Sequence, residues 1–389
     1  MTQTDYAKLE TGDLIAAIVL GTIGALTIMV VPGMIMMFSK LAALTDQQLG
    51  YIAAFDINAM AAGMGIATFL VARFNWRHLA LVGLAVFVAG NLVTAGVHSY
   101  VEIIAARSVV GLGEGLIVAV SFAALGSAAN PDRAFGIYLV VGLLVSAGVL
   151  AAIPWLDASI GSRSVFVGIA GLGALTCVLL KWLPTCCPAA VLWTNGRPPI
   201  IKKLAVAGLV TVFIYFIAQG ATWSYFERIG TASGVAPTVI GQALSISSVA
   251  GMAGALVAVS LCTRVSRAWL LIVSGGLSLV SFWMLIGHVT GAVLIVAGIL
   301  FNFAWNLAQP LLSGVCAEAD SCGRVVTAMG CIQTVGFGFG PAIAATLLTG
   351  NGFAPVTYVS TVTLLVSLGI ILIGTRAAQP TTVLPMTSV

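Results

Sequence analysis

The sequence predicts an all-α membrane protein: twelve transmembrane helices in two parallel six-helix pseudo-repeats, with both termini cytoplasmic. Three observations carry that prediction. Of 389 residues, 60% are apolar and 7% are charged, against roughly 25% charged in an ordinary soluble domain, and the mean hydropathy is +1.12. Scanning with a window of about 20 residues finds twelve apolar stretches long enough to cross a bilayer. Arginines at span ends also recur at one spacing, since Arg73 and Arg264 are 191 residues apart, as are Arg133 and Arg324.

The chain opens with a mostly polar stretch, MTQTDYAKLETG, before a first span at 13–38. That span is too long for a signal-peptide core and no Ala-x-Ala cleavage site follows it, so it is expected to stay in the membrane. The remaining spans fall at 48–72, 79–97, 101–128, 135–157, 163–183, 203–226, 237–262, 268–288, 291–316, 324–348 and 353–375. No hydrophilic domain interrupts them. The longest connection, TCCPAAVLWTNGRPPIIKK, separates the sixth span from the seventh. It divides the chain into an N-terminal six-helix half (1–183), a cytoplasmic linker (184–202) and a C-terminal six-helix half with a short tail (203–389).

Orientation follows from the basic residues. With a cytoplasmic N-terminus, Lys8, Arg73, Arg77, Arg133, Lys181, Arg197, Lys202, Lys203, Arg264, Arg267, Arg324 and Arg376 fall inside. Only Lys40, Arg163 and Arg228 fall outside, and Arg107 is embedded. Parallel halves with a site at mid-membrane between them are the construction of alternating-access transporters.

Three patches resemble the major facilitator superfamily. In the fourth span, Arg107-x-x-x-Gly111-x-Gly113-x-Gly115 is similar to that family's arginine motif. Between the second and third spans, the stretch from Thr68 to Arg77 occupies the place of the signature G-x-L-x-D-R-x-G-R. It keeps Leu70 and Arg73 and, one position beyond the final arginine of the signature, Arg77, but loses both glycines and the acid, whose place Ala72 takes. In the eleventh span, Gly336-x-x-x-Gly340-Pro341 resembles the G-x-x-x-G-P element, whose antiporter form lies in the fifth span; here the fifth span lacks a Gly-Pro pair, which tilts the expectation toward symport. Arg107 followed by Gly111-Leu112-Gly113-Glu114 is also reminiscent of spinster-like lipid transporters. The resemblance implies the twelve-helix fold of this superfamily, with the first, fourth, seventh and tenth spans lining a central cavity.

The charges inside spans are the main functional signal. A charge in hydrocarbon costs at least ~2.5 kcal/mol, so such residues face the bundle interior and need partners. Arg107 and Glu114 are seven apart, within about 20° on one helix face and about 10 Å apart along it, too far to touch. Asp56 of the second span lies at a depth similar to Arg107, and an Asp56–Arg107 pair is expected. Glu114 is left deeper without an obvious cation, where desolvation favours a bound proton. The trio therefore reads as a proton-coupling and charge site. A buried ion pair that only fixes helix packing is the alternative.

The C-terminal half carries different chemistry. Asn302, Asn306 and Gln309 of the tenth span fall within about 60° of one another at helical spacing. In the seventh span Tyr215, Gln219 and Trp223 follow at successive i+4 steps. Amides and aromatics around an apolar cavity suit an amphipathic or aromatic solute. Trp305 and Gln242 are weaker candidates, and Met29, Met34, Met36 and Met37 read as core or cavity filler. Most glycines, GLGEG included, read as close helix packing.

Other chemistries are disfavoured. Most of the seven cysteines fall near the cytoplasmic face, where structural disulfides are unexpected. Cys316-Ala-Glu318-Ala-Asp320-Ser-Cys322 matches no standard metal spacing, and His78, His98 and His288 sit at span ends. Neither HExxH nor a nucleophile elbow occurs, so no enzyme and no cofactor are expected. Without a nucleotide-binding motif to draw energy from ATP, ion coupling is expected, with the proton first and sodium second, since no dense carboxylate and carbonyl cluster can be read from the sequence. The expected function is a proton-coupled carrier for a small organic solute, an organic anion first and export of cationic amphiphiles second. A non-transporting receptor or scaffold is the reading from another class. The expected setting is a bacterial inner membrane, as a monomer whose partners are the solute and the lipid bilayer, with no nucleic acid.

Overall fold

The computed structural model describes residues 11–71, 73–128, 131–185, 201–261, 264–319, 324–348 and 352–377. Lys8, Ala72, Arg197, Cys186, Cys187, Cys262, Asp320 and Cys322 lie outside these residues, as does most of the linker expected at 184–202.

Twelve helices are long and apolar enough to cross a membrane. They are α1 (Thr11–Leu41), α2 (Asp46–Leu70), α3 (Trp76–Gly96), α4 (Tyr100–Gly126), α5 (Pro131–Ile160) and α6 (Arg163–Trp182). The second set is α7 (Lys202–Ala232), α8 (Pro237–Leu261), α9 (Arg267–Met284), α10 (Gly291–Ala319), α11 (Arg324–Leu347) and α12 (Ala354–Ala377). Local signals start several of them. Thr45 with Gln48 and Ser99 with Glu102 form reciprocal capping boxes at α2 and α4, satisfying amides that would otherwise be orphaned. Asn75 and Ser266 cap α3 and α9.

The largest boundary difference is at the end of α7, which runs to Ala232 rather than 226. The charged pair Glu227-Arg228 ends the hydropathy window, yet Glu227 is buried and Arg228 is held by Asp46. The helix stops at Gly234, which takes φ +78 while the Val235 amide donates to the Gly230 carbonyl at 3.0 Å. A left-handed residue there favours glycine.

Helix pairing repeats along the chain. α4 packs on α1, α2 and α3, and α10 packs on α7, α8 and α9. The register of the repeat is visible at two crossings. A methyl group at Gly63 would meet the Leu112 carbonyl oxygen at 2.5 Å, and one at Gly254 would meet the Phe303 carbonyl oxygen at 2.2 Å. Gly63 and Gly254, like Leu112 and Phe303, are 191 residues apart. Absence of a side chain lets each helix pair close to backbone contact. The six-helix sets meet through α2 on α11, α5 on α8 and α1 on α7.

α1 is not one straight rod. Ala25 breaks it into Thr11–Gly24 and Leu26–Leu41, and Val30 is non-helical at φ −108, ψ 15. Pro32 contributes, because it has no N–H for the Ile28 carbonyl. α1 and α7 are also the most enclosed spans, with 72% and 67% of their apolar windows buried. A break in so central a helix lies among protein groups rather than lipid, where irregular backbone is tolerated.

Candidate functional site

Two neighbouring sites occupy the middle of the bundle: a sealed charge cluster and a cavity. Arg107 lies two turns into α4 and is 0% exposed; Asp56 of α2 and Glu114 of α4 are each 1% exposed. The Arg107 Nε and Nη2 donate to Asp56 Oδ2 at 2.9 and 2.6 Å. Its Nη1 donates to Asn91 Oδ1 of α3 at 3.0 Å, and Nη2 reaches Thr27 Oγ1 of α1 at 3.3 Å. The Thr27 hydroxyl donates to Glu114 Oε1 at 2.5 Å. Asn91 is fixed in turn by donating to the Phe87 carbonyl at 2.8 Å. Asp56 Oδ1 has no hydrogen-bond partner among the described residues.

The Asp56–Arg107 pair forms as the sequence suggests, but the separation of Arg107 from Glu114 does not hold. Arg107 Nη2 lies 3.4 Å from Glu114 Oε1. The spacing of about 10 Å along the helix is one between backbone positions, and the long arginine side chain bridges it. Thr27 and Asn91 were missed. Neither is charged, and only assembly of α1 and α3 against α4 shows that they meet a guanidinium.

The arrangement has a simple charge balance. One guanidinium stays protonated at any physiological pH, and two carboxyls face it. With both ionised the cluster carries one net negative charge in a site closed to water, and one bound proton makes it neutral. Isolated buried charge is the costly state, so the two protonation states of this cluster differ in how much uncompensated charge they bury.

The cavity of about 130 Å³ lies alongside. Its C-terminal wall is aromatic and amide: Phe216 and Trp223 from α7, Asn302, Trp305, Asn306 and Gln309 from α10, Gln333 and Phe337 from α11. Trp305 stacks on Phe337 at 5.4 Å between ring centroids, and Trp223 stacks on Phe301 at 5.7 Å. The opposite wall is Met29, Met60, Met64, Val118, Phe122 and Tyr138, from α1, α2, α4 and α5. No charged side chain is among the described lining residues.

Of the residues singled out in the sequence, Trp223, Asn302, Asn306 and Gln309 line the cavity, as do Trp305 and Met29. Tyr215 and Gln219 do not. Tyr215 is 2% exposed with its ring against Phe216 at 5.6 Å, and Gln219 is fully buried without a hydrogen-bond partner for its amide. Successive i+4 steps drift around a helix by about 40° each, so Trp223 and Tyr215 come to face different neighbours. Gln242 lies exposed on α8 and not on the lining. Cavity walls also come from α2, α5, α8 and α11, beyond the four helices the resemblance implied. Gln333 and Tyr138 were missed, because a single polar residue in an apolar span carries no periodic signal.

No family model matches the chain. Among curated proteins, an uncharacterized MFS-type transporter YbcL of Bacillus subtilis is 25% identical over 199 residues, which are 48% of this chain and 49% of that protein. A multidrug resistance protein B homolog of Mycobacterium tuberculosis is 28% identical over 156 residues, 39% of this chain and 27% of that one. The chain thus spans about half or less of these relatives' lengths. Solved structures match over more of the chain. A D-xylose-proton symporter superposes with TM-score 0.72 at 15% identity, covering 92% of this chain and 96% of its own. The xylose transporter XylE from E. coli, in a partially occluded inward open conformation, does so with TM-score 0.74 at 12% identity, covering 93% and 96%. This chain is a multi-pass integral membrane protein, with the twelve-helix fold of these xylose transporters and local sequence similarity to an MFS-type transporter and a multidrug resistance homolog.

Proposed function

We propose that the chain is a proton-coupled secondary active transporter that moves a small amphipathic organic solute by alternating access. One observation carries this reading: a sealed cluster of one cation and two carboxyls stands one broken turn of α1 away from a cavity of aromatic and amide side chains. Thr27 of that turn touches the cluster, and Ala25, Ile28 and Met29 of the same turn line the cavity. Solved neighbours include a D-xylose-proton symporter, whose name couples a solute to a proton, and the relatives include a multidrug resistance homolog.

Chemistry of the wall favours an aromatic solute with hydrogen-bonding groups. Rings of Trp223, Trp305 and Phe337 offer stacking faces, while Asn302, Asn306, Gln309 and Gln333 fix orientation. Asp56, Arg107 and Glu114 handle the proton. The organic-anion reading retains Arg107 as its support, since an anion could take the guanidinium from Asp56. It requires α1 to move, because Arg107 is 0% exposed and not on the cavity lining. Export of cationic amphiphiles would draw instead on the two carboxyls. The excess of basic residues on one side of the spans supports a cytoplasmic location for both termini.

The test is thermal stabilisation of purified protein by matched uncharged, anionic and cationic aromatic compounds, repeated with Trp305→Ala and Arg107→Gln. Uncharged compounds should stabilise most and lose the effect in Trp305→Ala. Stabilisation only by anions, abolished by Arg107→Gln, would reverse the order of solutes.

A further inference from the structure

Three helices reach both the cluster and the cavity: α2 through Asp56 and Met60, α4 through Glu114 and Val118, and α1 through Thr27 and Met29, and only the α1 stretch is irregular there. Ala25 and Val30 depart from helical geometry, and the residues between them alternate in what they touch. Thr27 points to the cluster, accepting from Arg107 Nη2 and donating to Glu114 Oε1. Ile28 and Met29 point to the cavity. The Met29 carbonyl accepts a hydrogen bond of 3.2 Å from Trp223 Nε1, on the opposite six-helix set. One short irregular segment therefore holds a carboxyl at one end and an indole of the cavity wall at the other.

We propose that this broken turn of α1 is the coupling element, with the Thr27 hydroxyl reading the protonation of Glu114 and the Met29 carbonyl passing the change to Trp223. This rests on the proton-coupled reading above. A hydroxyl has one hydrogen to give and can also accept. Facing a Glu114 carboxylate, Thr27 donates. When Glu114 takes a proton given up by a hydronium ion, which leaves as water, its new O–H must donate, and Thr27 Oγ1 is the acceptor at hand. The Thr27 hydrogen then turns to another acceptor, and the Ile23 carbonyl one turn back is within the usual reach of a helical threonine. No bond other than the carboxyl O–H is made. Charged groups facing Glu114 are Asp56 from α2 and Arg107 from α4; α1 faces it with Thr27, and α3 reaches the cluster through Asn91 on Arg107. A rigid helix would absorb such a reversal, whereas a segment already broken at Ala25 and Val30 can shift and alter the Met29–Trp223 bond.

Trp223 is its own reporter and no solute is needed. The chain has 8 tryptophans, so the Trp223 signal is the emission of a protein minus that of the same protein with Trp223→Phe. We expect it to shift as pH rises from acid to mildly alkaline in the parent and in Thr27→Ser, and to stay flat in Thr27→Val and Glu114→Gln. Infrared difference spectra over the same titration report the Glu114 carboxyl, identified by its loss in Glu114→Gln. A Trp223 signal that titrates in Thr27→Val as in the parent overturns the relay. A Glu114 band that titrates while parent Trp223 stays flat also overturns it, yet leaves the proton site standing. Absence of any titrating Glu114 band removes the proton reading and the relay together. If Thr27→Val does not fold, Thr27→Ala removes the same hydroxyl and has the same expected and contrary results.

Discussion

Replacing Asp56 with Asn keeps the shape of the side chain and removes the charge that Arg107 is built against. Breaking a buried pair from one side typically costs ~3 to 5 kcal/mol, because the remaining ion is stranded. Here two of the guanidinium's hydrogen bonds, at 2.9 and 2.6 Å, go to the single oxygen Asp56 Oδ2. Glu114 waits 3.4 Å away as a second anion. Asp56→Asn should therefore fall at the low end, about 3 kcal/mol, as long as Glu114 is ionised. Low pH protonates Glu114 and removes that rescue, so the deficit should widen as pH falls and narrow as it rises. Asp56→Asn combined with Glu114→Gln leaves Arg107 with no anion and should reach the upper end, about 5 kcal/mol, at every pH. Thermal unfolding of the purified variants in detergent, against the parent, reads the order. A single variant as stable as the parent at low pH would refute the pairing energetics, as would a double variant no worse than the single.

Gly63→Ala and Gly254→Ala should each destabilise by roughly 1 to 3 kcal/mol, since the added carbon meets a backbone oxygen at 2.5 or 2.2 Å that cannot step aside. Gly65→Ala, with nothing within 4 Å, is the control and should be neutral or slightly stabilising in the same unfolding assay. Asp46 and Arg228 join α2 to α7 at 2.6 Å while partly exposed, so Asp46→Asn should cost at most about 1 kcal/mol of stability. It should nevertheless loosen that end of the bundle, speeding maleimide labelling of a thiol introduced by Ser224→Cys, a site 0% exposed here. The charge swap Asp46→Arg with Arg228→Asp should return labelling to the parent rate. Asn91→Leu should weaken the cluster by about 1.5 to 3 kcal/mol, the usual worth of a hydrogen bond to a charged group, without changing which residue carries the proton; the infrared titration of Glu114 checks this.

Hydropathy and period made the helices legible, because a membrane span must satisfy its backbone internally and so announces itself by length. Asp56 and Arg107 were legible for a related reason: each is an ion in an apolar run, and each lies at a depth the other can match. Arg107 with Glu114 was not, since helix geometry locates Cα atoms and says little about how far an arginine can fold back. Tyr215 and Gln219 share a stripe with Trp223 in the sequence, but the rotation of α7 that sends only Trp223 to the cavity is set by packing against α11 and α12. The break in α1 was hinted at by Pro32 alone. Its neighbours Thr27 and Met29 gain their roles from α4 and α7, far away in the chain.

Transport by the parent and by Glu114→Gln in proteoliposomes tests the central claim most directly, because the substitution mimics a carboxyl that can never release its proton. Each preparation is loaded with a solute found by the stabilisation screen and read in two modes, accumulation driven by an imposed pH gradient and exchange of solute at equal pH. The account predicts that Glu114→Gln loses gradient-driven accumulation while it keeps exchange, as expected when the cavity still binds but the cluster no longer cycles a proton. Accumulation that survives undiminished in Glu114→Gln would contradict it and leave Glu114 as a packing residue.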